Sequence, residues 1–133
     1  REMAQHLNLS KHIRFLGGLE DVLPLLQAAD AFVMPSLYEG FGIAAIEALA
    51  TGLPALFTNC PGLCDFRSQF PGLIYTQADA RSVAEGLQRL MSLTESERTS
   101  ILITYPQTAR KLFGMELGAK EYLDIYRKVQ RLA

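Results

Sequence analysis

Pro35-Ser36-Leu37-Tyr38-Glu39-Gly40-Phe41-Gly42-Ile43-Ala44-Ala45-Ile46-Glu47-Ala48-Leu49 joins a short apolar run, Ala31 to Met34, to residues at helical spacing. Gly40 and Gly42 allow a sharp turn or a close approach of the backbone to a ligand. A helix starting near Ile43 leaves the N–H groups of its first turn without partners, and those groups suit an anion, above all a diphosphate. In open α/β sheets ligands bind beyond the carboxyl ends of strands, which is where this loop falls. Glu47 stands one turn inside the helix with Ile43, Ala44, Ala45, Ile46, Ala48, Leu49 and Ala50 all apolar around it. That pattern predicts a helix covered on most sides, so the carboxylate must face a pocket or find donors, because an unpaired buried charge is costly. Sugar or ribose hydroxyls are suitable donors. Glu39, on the loop before the helix, falls on the same rim, and the two carboxylates are expected to converge on one small cavity. Taken singly, glycines in such a loop are usually turn chemistry and a glutamate early in a helix is usually a dipole partner; it is the combination that points to a site.

Outward from this stretch, short apolar runs alternate with helical ones, the order expected of parallel β-α-β units. Ile13 to Leu16, Ala31 to Met34, Ala55 to Thr58 and Leu73 to Thr76 are mostly apolar runs that read as strands buried on both faces. Arg1 to Leu9 reads as helix, and Glu20 to Ala29 as a crossover helix with Leu23, Leu25 and Leu26 around one face and Asp21 early in it. Asp79 is placed to N-cap a helix running to about Leu93. Thr94 with Glu97 three residues on forms a capping box for the next, which ends near Gly114. Glu116 to Leu132 reads as a last amphipathic helix, with Leu117, Tyr122, Leu123, Ile125, Tyr126 and Val129 apolar. The expected fold is therefore α/β, a Rossmann-like parallel sheet with flanking helices over residues 1–93 and a helical C-terminal tail over 94–133.

Composition narrows the function. The chain has 133 residues, 49% hydrophobic, and 13 basic against 14 acidic side chains. A net charge of −1 supplies no field to gather nucleic acid, and no apolar stretch approaches the roughly 20 residues that span a bilayer. Cys60 and Cys64 are too few for a disulfide framework and complete no zinc set, so no metal is expected and a reducing cytoplasm fits best. His6 and His12 read as surface groups; Arg67 and Arg81 are within the reach of a phosphate but read first as solvated charges. Lys120, Arg127, Lys128 and Arg131 solvate one face of the last helix, a face that also suits an anionic membrane surface.

The residues also carry a resemblance. Ser36-Leu37-Tyr38-Glu39-Gly40-Phe41-Gly42, with Glu47 eight positions after Glu39, resembles the Glu, seven residues, Glu motif of family-4 retaining glycosyltransferases of the GT-B architecture. Arg14-Phe15-Leu16-Gly17, Ala29-Asp30-Ala31-Phe32-Val33-Met34-Pro35, Glu47-Ala48-Leu49-Ala50-Thr51-Gly52-Leu53-Pro54 and Tyr122-Leu123-Asp124-Ile125-Tyr126 are similar to that family's C-terminal domain in order and spacing. The resemblance implies a nucleotide-sugar donor, a glycan, lipid or other hydroxyl acceptor, and transfer with retention at the anomeric carbon. It implies that Glu39 contacts the transferred sugar as the catalytic group and that Glu47 binds the ribose hydroxyls. Backbone N–H groups around Gly40, Phe41, Gly42, Ile43 and Ala44 would hold the diphosphate, and Leu16 and Gly17 would lie by the base. The family usually needs no metal or cofactor; its membrane-associated members extend the expected location from the cytoplasm to the inner face of a membrane.

Pro61-Gly62-Leu63-Cys64-Asp65 departs from the family's Gly-Gly-x-x-Glu, with Pro61 in place of a glycine and Asp65 shortening the acid. The chain opens at Arg1, and it is expected to be cut from something larger: the resemblance places two further strands before Arg1, sitting in the sheet between the strands at Ile13 and Ala31, and a second domain that holds the acceptor. An edge left unpaired is a template for another chain, so self-association is expected of the isolated chain, which by itself should not turn over. Two other readings stay open: a non-catalytic nucleotide-binding or interaction module, which keeping both Glu39 and Glu47 argues against, and a nucleotide-sugar epimerase of the same architecture.

Overall fold

The structure, a computed structural model, describes residues 1–131. The described elements are α1 (Glu2–His6), α2 (Leu23–Ala28), β1 (Phe32–Met34), α3 (Ile43–Ala50), β2 (Ala55–Thr58), a 3-10 turn (Cys64–Phe66), β3 (Ile74–Thr76), α4 (Ala80–Met91), α5 (Glu95–Phe113) and α6 (Met115–Gln130). The three strands form one parallel sheet in the order β1-β2-β3.

The central strand β2 is buried at every residue because helices cover both of its faces. Ala55 and Phe57 point to one side, where they meet Ala45 and Leu49 of α3 and Ile101, Tyr105 and Ala109 of α5. Leu56 points to the other side, against Ile74 of β3 and Leu90 of α4. The alternation follows from the two-residue period of a strand, which sends neighbouring side chains to opposite faces. Leu26 of α2 packs on Ala48 and Leu53 at the β1 end. A chain of ring contacts extends the core, with Phe57–Phe66 centroids 6.2 Å apart, Phe66–Phe70 6.2 Å and Phe70–Tyr105 5.3 Å. These tilted and edge-on arrangements are the ones aromatic quadrupoles favour.

The helix caps form as the sequence specifies. The Asp79 carboxylate accepts from Ser82 N–H at 2.9 Å and from Ser82 hydroxyl at 2.7 Å, and these bonds hold it below its ordinary pKa. Thr94 and Glu97 close a reciprocal capping box, and the Thr94 hydroxyl, donating at 2.7 Å, lowers the pKa of Glu97. The α5 helix ends at Phe113, next to Gly114. It runs through Pro106, although a proline inside a helix costs about 3 kcal/mol. Ile101, Tyr105 and Ala109, four residues apart, keep the two halves of α5 seated on the same core.

Three expectations are corrected. Ile13 to Leu16 forms no strand: residues 14–20 are exposed, and among the described residues none of their backbone groups joins a hydrogen bond to another backbone group. A strand exists only as a partner of another, and among the described residues no strand pairs with this run, whose Phe15 ring instead lies under the Arg1 guanidinium at 5.6 Å. The outer edge of β1 is accordingly unpaired among the described residues. The crossover helix is shorter than expected, Leu23–Ala28, because Pro24 sits in its first turn and the Asp21 carboxylate, just outside, accepts from Leu23 N–H at 2.9 Å; only Leu26 is buried, while Leu23 and Leu25 are exposed. The first helix also stops early, at His6, with Asn8 at φ 56° in the turn that follows. The last helix begins at Met115 and buries no residue; Leu132, its expected end, lies outside the described residues.

Candidate functional site

The loop between β1 and α3 is held from beneath by β2. Thr58, the last residue of β2, is fully buried, and its hydroxyl donates to the Ser36 carbonyl. The Ser36 hydroxyl then donates to the Glu39 carboxylate at 2.6 Å, and the Glu39 N–H donates to the Pro61 carbonyl at 3.2 Å. Gly62 lies directly under the Glu39 backbone at φ +82°. A Cβ built on Gly62 would overlap the Glu39 carbonyl oxygen and lie 2.9 Å from its carbon. Pro61, through its carbonyl, and Gly62, through its missing side chain, thus form the platform on which Glu39 rests.

Gly42 caps α3 at φ 71°, ψ 50°, in the left-handed region that favours glycine. A Cβ there would also come within 2.9 Å of Leu63 Cδ2. Gly40 has neither constraint: its φ is not positive, and an added Cβ would meet nothing within 4 Å. No side chain caps the N-terminus of α3, so its first-turn amides stay available between exposed Phe41, Ile43 and Ala44. The Phe41 ring rests edge-on against Phe113 at the end of α5, with centroids 5.9 Å apart.

The structure also corrects how α3 is covered. Ala45, Ala48 and Leu49 are fully buried on one side, but Ile43, Ala44, Glu47 and Ala50 form an exposed stripe on the other. Residues three and four apart share a helix face, so Glu47 projects from a largely apolar uncovered face. It lines a groove of about 300 Å³ with Asp21, Val22, Leu23 and Leu26 of the α2 segment. The groove has two carboxylates and no basic residue, a lining that receives hydroxyl donors and rejects phosphate. Glu39 does not line this groove; its carboxylate accepts from the Ser36 hydroxyl at 2.6 Å. The two acids thus have different immediate neighbours, the α2 segment for Glu47 and Ser36 for Glu39. Leu16 and Gly17 lie in the exposed stretch before α2, Gly17 at φ 75°, and neither borders the Glu47 groove.

The sequence names Thr58, Ser36 and Gly62 within its runs and motifs but gives no sign that these three position Glu39. What it shows at these positions is unspecific: a hydroxyl closing an apolar run, a serine three residues before a glutamate, and a glycine following a proline. His6 and His12 are exposed, Cys60 is buried and Cys64 half-buried. Among the described residues no group of His, Cys, Asp and Glu is arranged to hold a metal ion, and no helix is long and apolar enough to cross a membrane.

Comparison with known proteins gives a consistent result. The pattern of the family described as Glycosyl transferases group 1 matches residues 1–103. The D-inositol 3-phosphate glycosyltransferase of Corynebacterium urealyticum is 34% identical over 131 residues, which is 96% of this chain and 30% of that protein. The UDP-Gal:alpha-D-GlcNAc-diphosphoundecaprenol alpha-1,3-galactosyltransferase of Escherichia coli is 38% identical over 85 residues, 63% of this chain and 22% of that protein. Among solved structures, sucrose-phosphate synthase from Thermosynechococcus elongatus superposes with a TM-score of 0.88 at 27% identity, over 99% of this chain and 34% of that one. A glycosyltransferase from Rickettsia africae shares the fold, with a TM-score of 0.91 at 21% identity, over 99% of this chain and 36% of that one. The chain spans about a third or less of the length of these relatives.

Proposed function

We propose, since this chain belongs to the Glycosyl transferases group 1 family, that it forms the donor-binding part of a family-4 retaining glycosyltransferase of the GT-B architecture, residues 1–93 supplying the α/β part and 94–133 a helical tail. The whole protein would transfer a sugar from a nucleotide sugar to a hydroxyl on a glycan or lipid acceptor, on the cytoplasmic side and in peripheral contact with the inner face of a membrane. The observation that carries this reading is the uncapped N-terminus of α3, open to solvent, with Glu39 in the loop before it and Glu47 one turn inside it.

Each part has a physical role in this reading. The amides of Gly42, Ile43 and Ala44, with the glycine-containing turn at Gly40 and Phe41, hold the diphosphate, since helix N-termini favour anions. As the glycosidic bond breaks, negative charge builds on the departing diphosphate, and fixed dipoles stabilise it without reorganising. Glu47, in its acidic groove, accepts from the ribose hydroxyls. Glu39 uses one carboxylate oxygen on Ser36 and presents the other to the transferred sugar near the reacting carbon. Leu16 and Gly17 would reach the base when residues 14–20 fold against the rest of the protein. No step calls on a metal.

Titration of the full-length protein with several sugar nucleotides tests the reading. Glu47→Ala should weaken nucleotide binding, with or without the sugar attached. Glu39→Gln should reduce kcat while the nucleotide alone still binds. Unchanged nucleotide affinity in the first variant would remove the ribose assignment, and unchanged turnover in the second would remove the catalytic one.

A further inference from the structure

A second cavity, of about 380 Å³, opens at the carboxyl ends of β2 and β3 and shares no lining residue with the segment from Glu39 to Glu47. Asn59 follows β2, Thr76 ends β3, Arg67 leaves the 3-10 turn, and Arg89 reaches in from α4. This is the end of a parallel sheet at which ligands gather.

The two arginines set its charge. Arg67 is held in place: its guanidinium lies over the Tyr75 ring, 4.3 Å from the centroid, and donates to Asn59 Oδ1 at 3.1 Å. The ring is pinned in turn, because the Tyr75 hydroxyl donates to the Leu63 carbonyl at 2.8 Å. A guanidinium fixed by stacking and one hydrogen bond keeps further N–H donors free for an oxyanion. Among the described residues neither Arg67 nor Arg89 has a carboxylate partner; the ion pairs are Arg81–Glu85 and Arg127–Asp124. Glu85 is the one carboxylate in the lining, and it is engaged with Arg81 at 3.1 Å across an exposed contact. Arg67 and Arg89 are left without an ion-pair partner among the described residues.

Packing adds a further observation. Gly86 lets α4 press onto the sheet so closely that a Cβ there would overlap Leu56 Cδ1 and stand 2.6 Å from Thr76 Cγ2. Thr76 Oγ1 ends up buried without a hydrogen-bond partner. We infer that this cavity binds a phosphate group, gripped by Arg67 and Arg89, whether free in solution or carried on a small sugar. The cavity is large enough for a phosphate and one sugar ring and small for a whole nucleotide sugar. Charge-assisted bonds from arginine are the strong form of phosphate recognition.

The test is an NMR titration of the ¹⁵N-labelled chain with inorganic phosphate, with a hexose monophosphate, and with chloride at matched ionic strength. Saturable shifts are expected at the amides of Thr76, Gln77 and Ser82 with both phosphates and not with chloride. Tighter binding of the hexose monophosphate would assign the source as a sugar ester, and equal binding as the free ion. Arg89→Gln should weaken binding by about tenfold or more, the loss expected for one charge-assisted contact. Arg67→Gln should do the same, and because Arg67 also packs on Tyr75, the exposed Arg89 variant keeps the test clear of misfolding. Shifts that fail to saturate, that chloride reproduces, that survive both substitutions, or that fall only at residues 42–45 would overturn the inference. The last of these outcomes would leave the donor reading of the α3 N-terminus standing, so the two can fail separately.

Discussion

Replacing Gly62 by alanine should damage this protein more than replacing Gly40, although Gly40 lies inside the motif and Gly62 outside it. Gly62 sits at φ +82°, and an added Cβ would overlap the Glu39 carbonyl oxygen while standing 2.9 Å from its carbon and 3.2 Å from its Cβ. The left-handed backbone costs alanine about 1–2 kcal/mol. Overpacking against a backbone carbonyl, which no rotamer change relieves, adds about 1–3 kcal/mol. The sum is roughly 2–5 kcal/mol, or a fall in Tm on the order of 8–20 °C for a chain of this size. Gly62→Asn separates the two costs, since asparagine tolerates the left-handed region but still carries a Cβ; it should recover part of the loss and no more. Gly40→Ala meets nothing within 4 Å and should leave Tm within a few degrees of the parent. The assay is thermal unfolding by circular dichroism at matched protein concentration. A Gly62→Ala variant within about 2 °C of the parent, or a Gly40→Ala variant equally destabilised, would refute the platform argument.

Three further outcomes are expected. Thr58→Val keeps shape but removes the hydroxyl that donates to the Ser36 carbonyl, so it should cost about 1–3 kcal/mol and speed hydrogen exchange at the Glu39 amide; unaltered exchange there would mean that Thr58 does not anchor the loop. Burial pushes the Tyr75 hydroxyl up from its usual 10 to about 12, against the opposing charge of Arg67. A group whose folded pKa is raised contributes stability that is full below pH 10 and is lost as pH rises through 12, so Tm measured between these values should fall less in Tyr75→Phe than in the parent, and parallel profiles would contradict the assignment. The unpaired edge of β1 and the exposed Phe15, Leu16, Leu37, Tyr38 and Ile43 should make the isolated chain associate, and a monodisperse monomer by light scattering across a range of concentrations would count against that.

The amino-acid sequence by itself determined whatever depends on neighbours a few residues away. The Asp79 cap and the Thr94–Glu97 box are set by side chains three residues from the amides they meet. The apolar runs at Ala55 to Thr58 and at the sites of β1 and β3 announce strands, of which β2 is buried at every residue and β1 half-buried throughout, and the glycine loop before Ile43 announces a strand-to-helix corner. Tertiary structure alone decided what depends on a partner far along the chain. Ile13 to Leu16 carries three apolar residues of four but, among the described residues, pairs with no strand, so it stays irregular and exposed. The α3 helix is apolar all round, and only the placement of α2, β1 and α5 leaves the Glu47 face open. Glu39 is legible from its motif, but its support comes from Thr58 and Gly62, each about 20 residues away, which only the parallel packing of β1 against β2 brings beneath it. Short-range hydrogen bonding is written in residue spacing, whereas coverage and strand pairing are set by which surfaces meet once the chain has closed on itself.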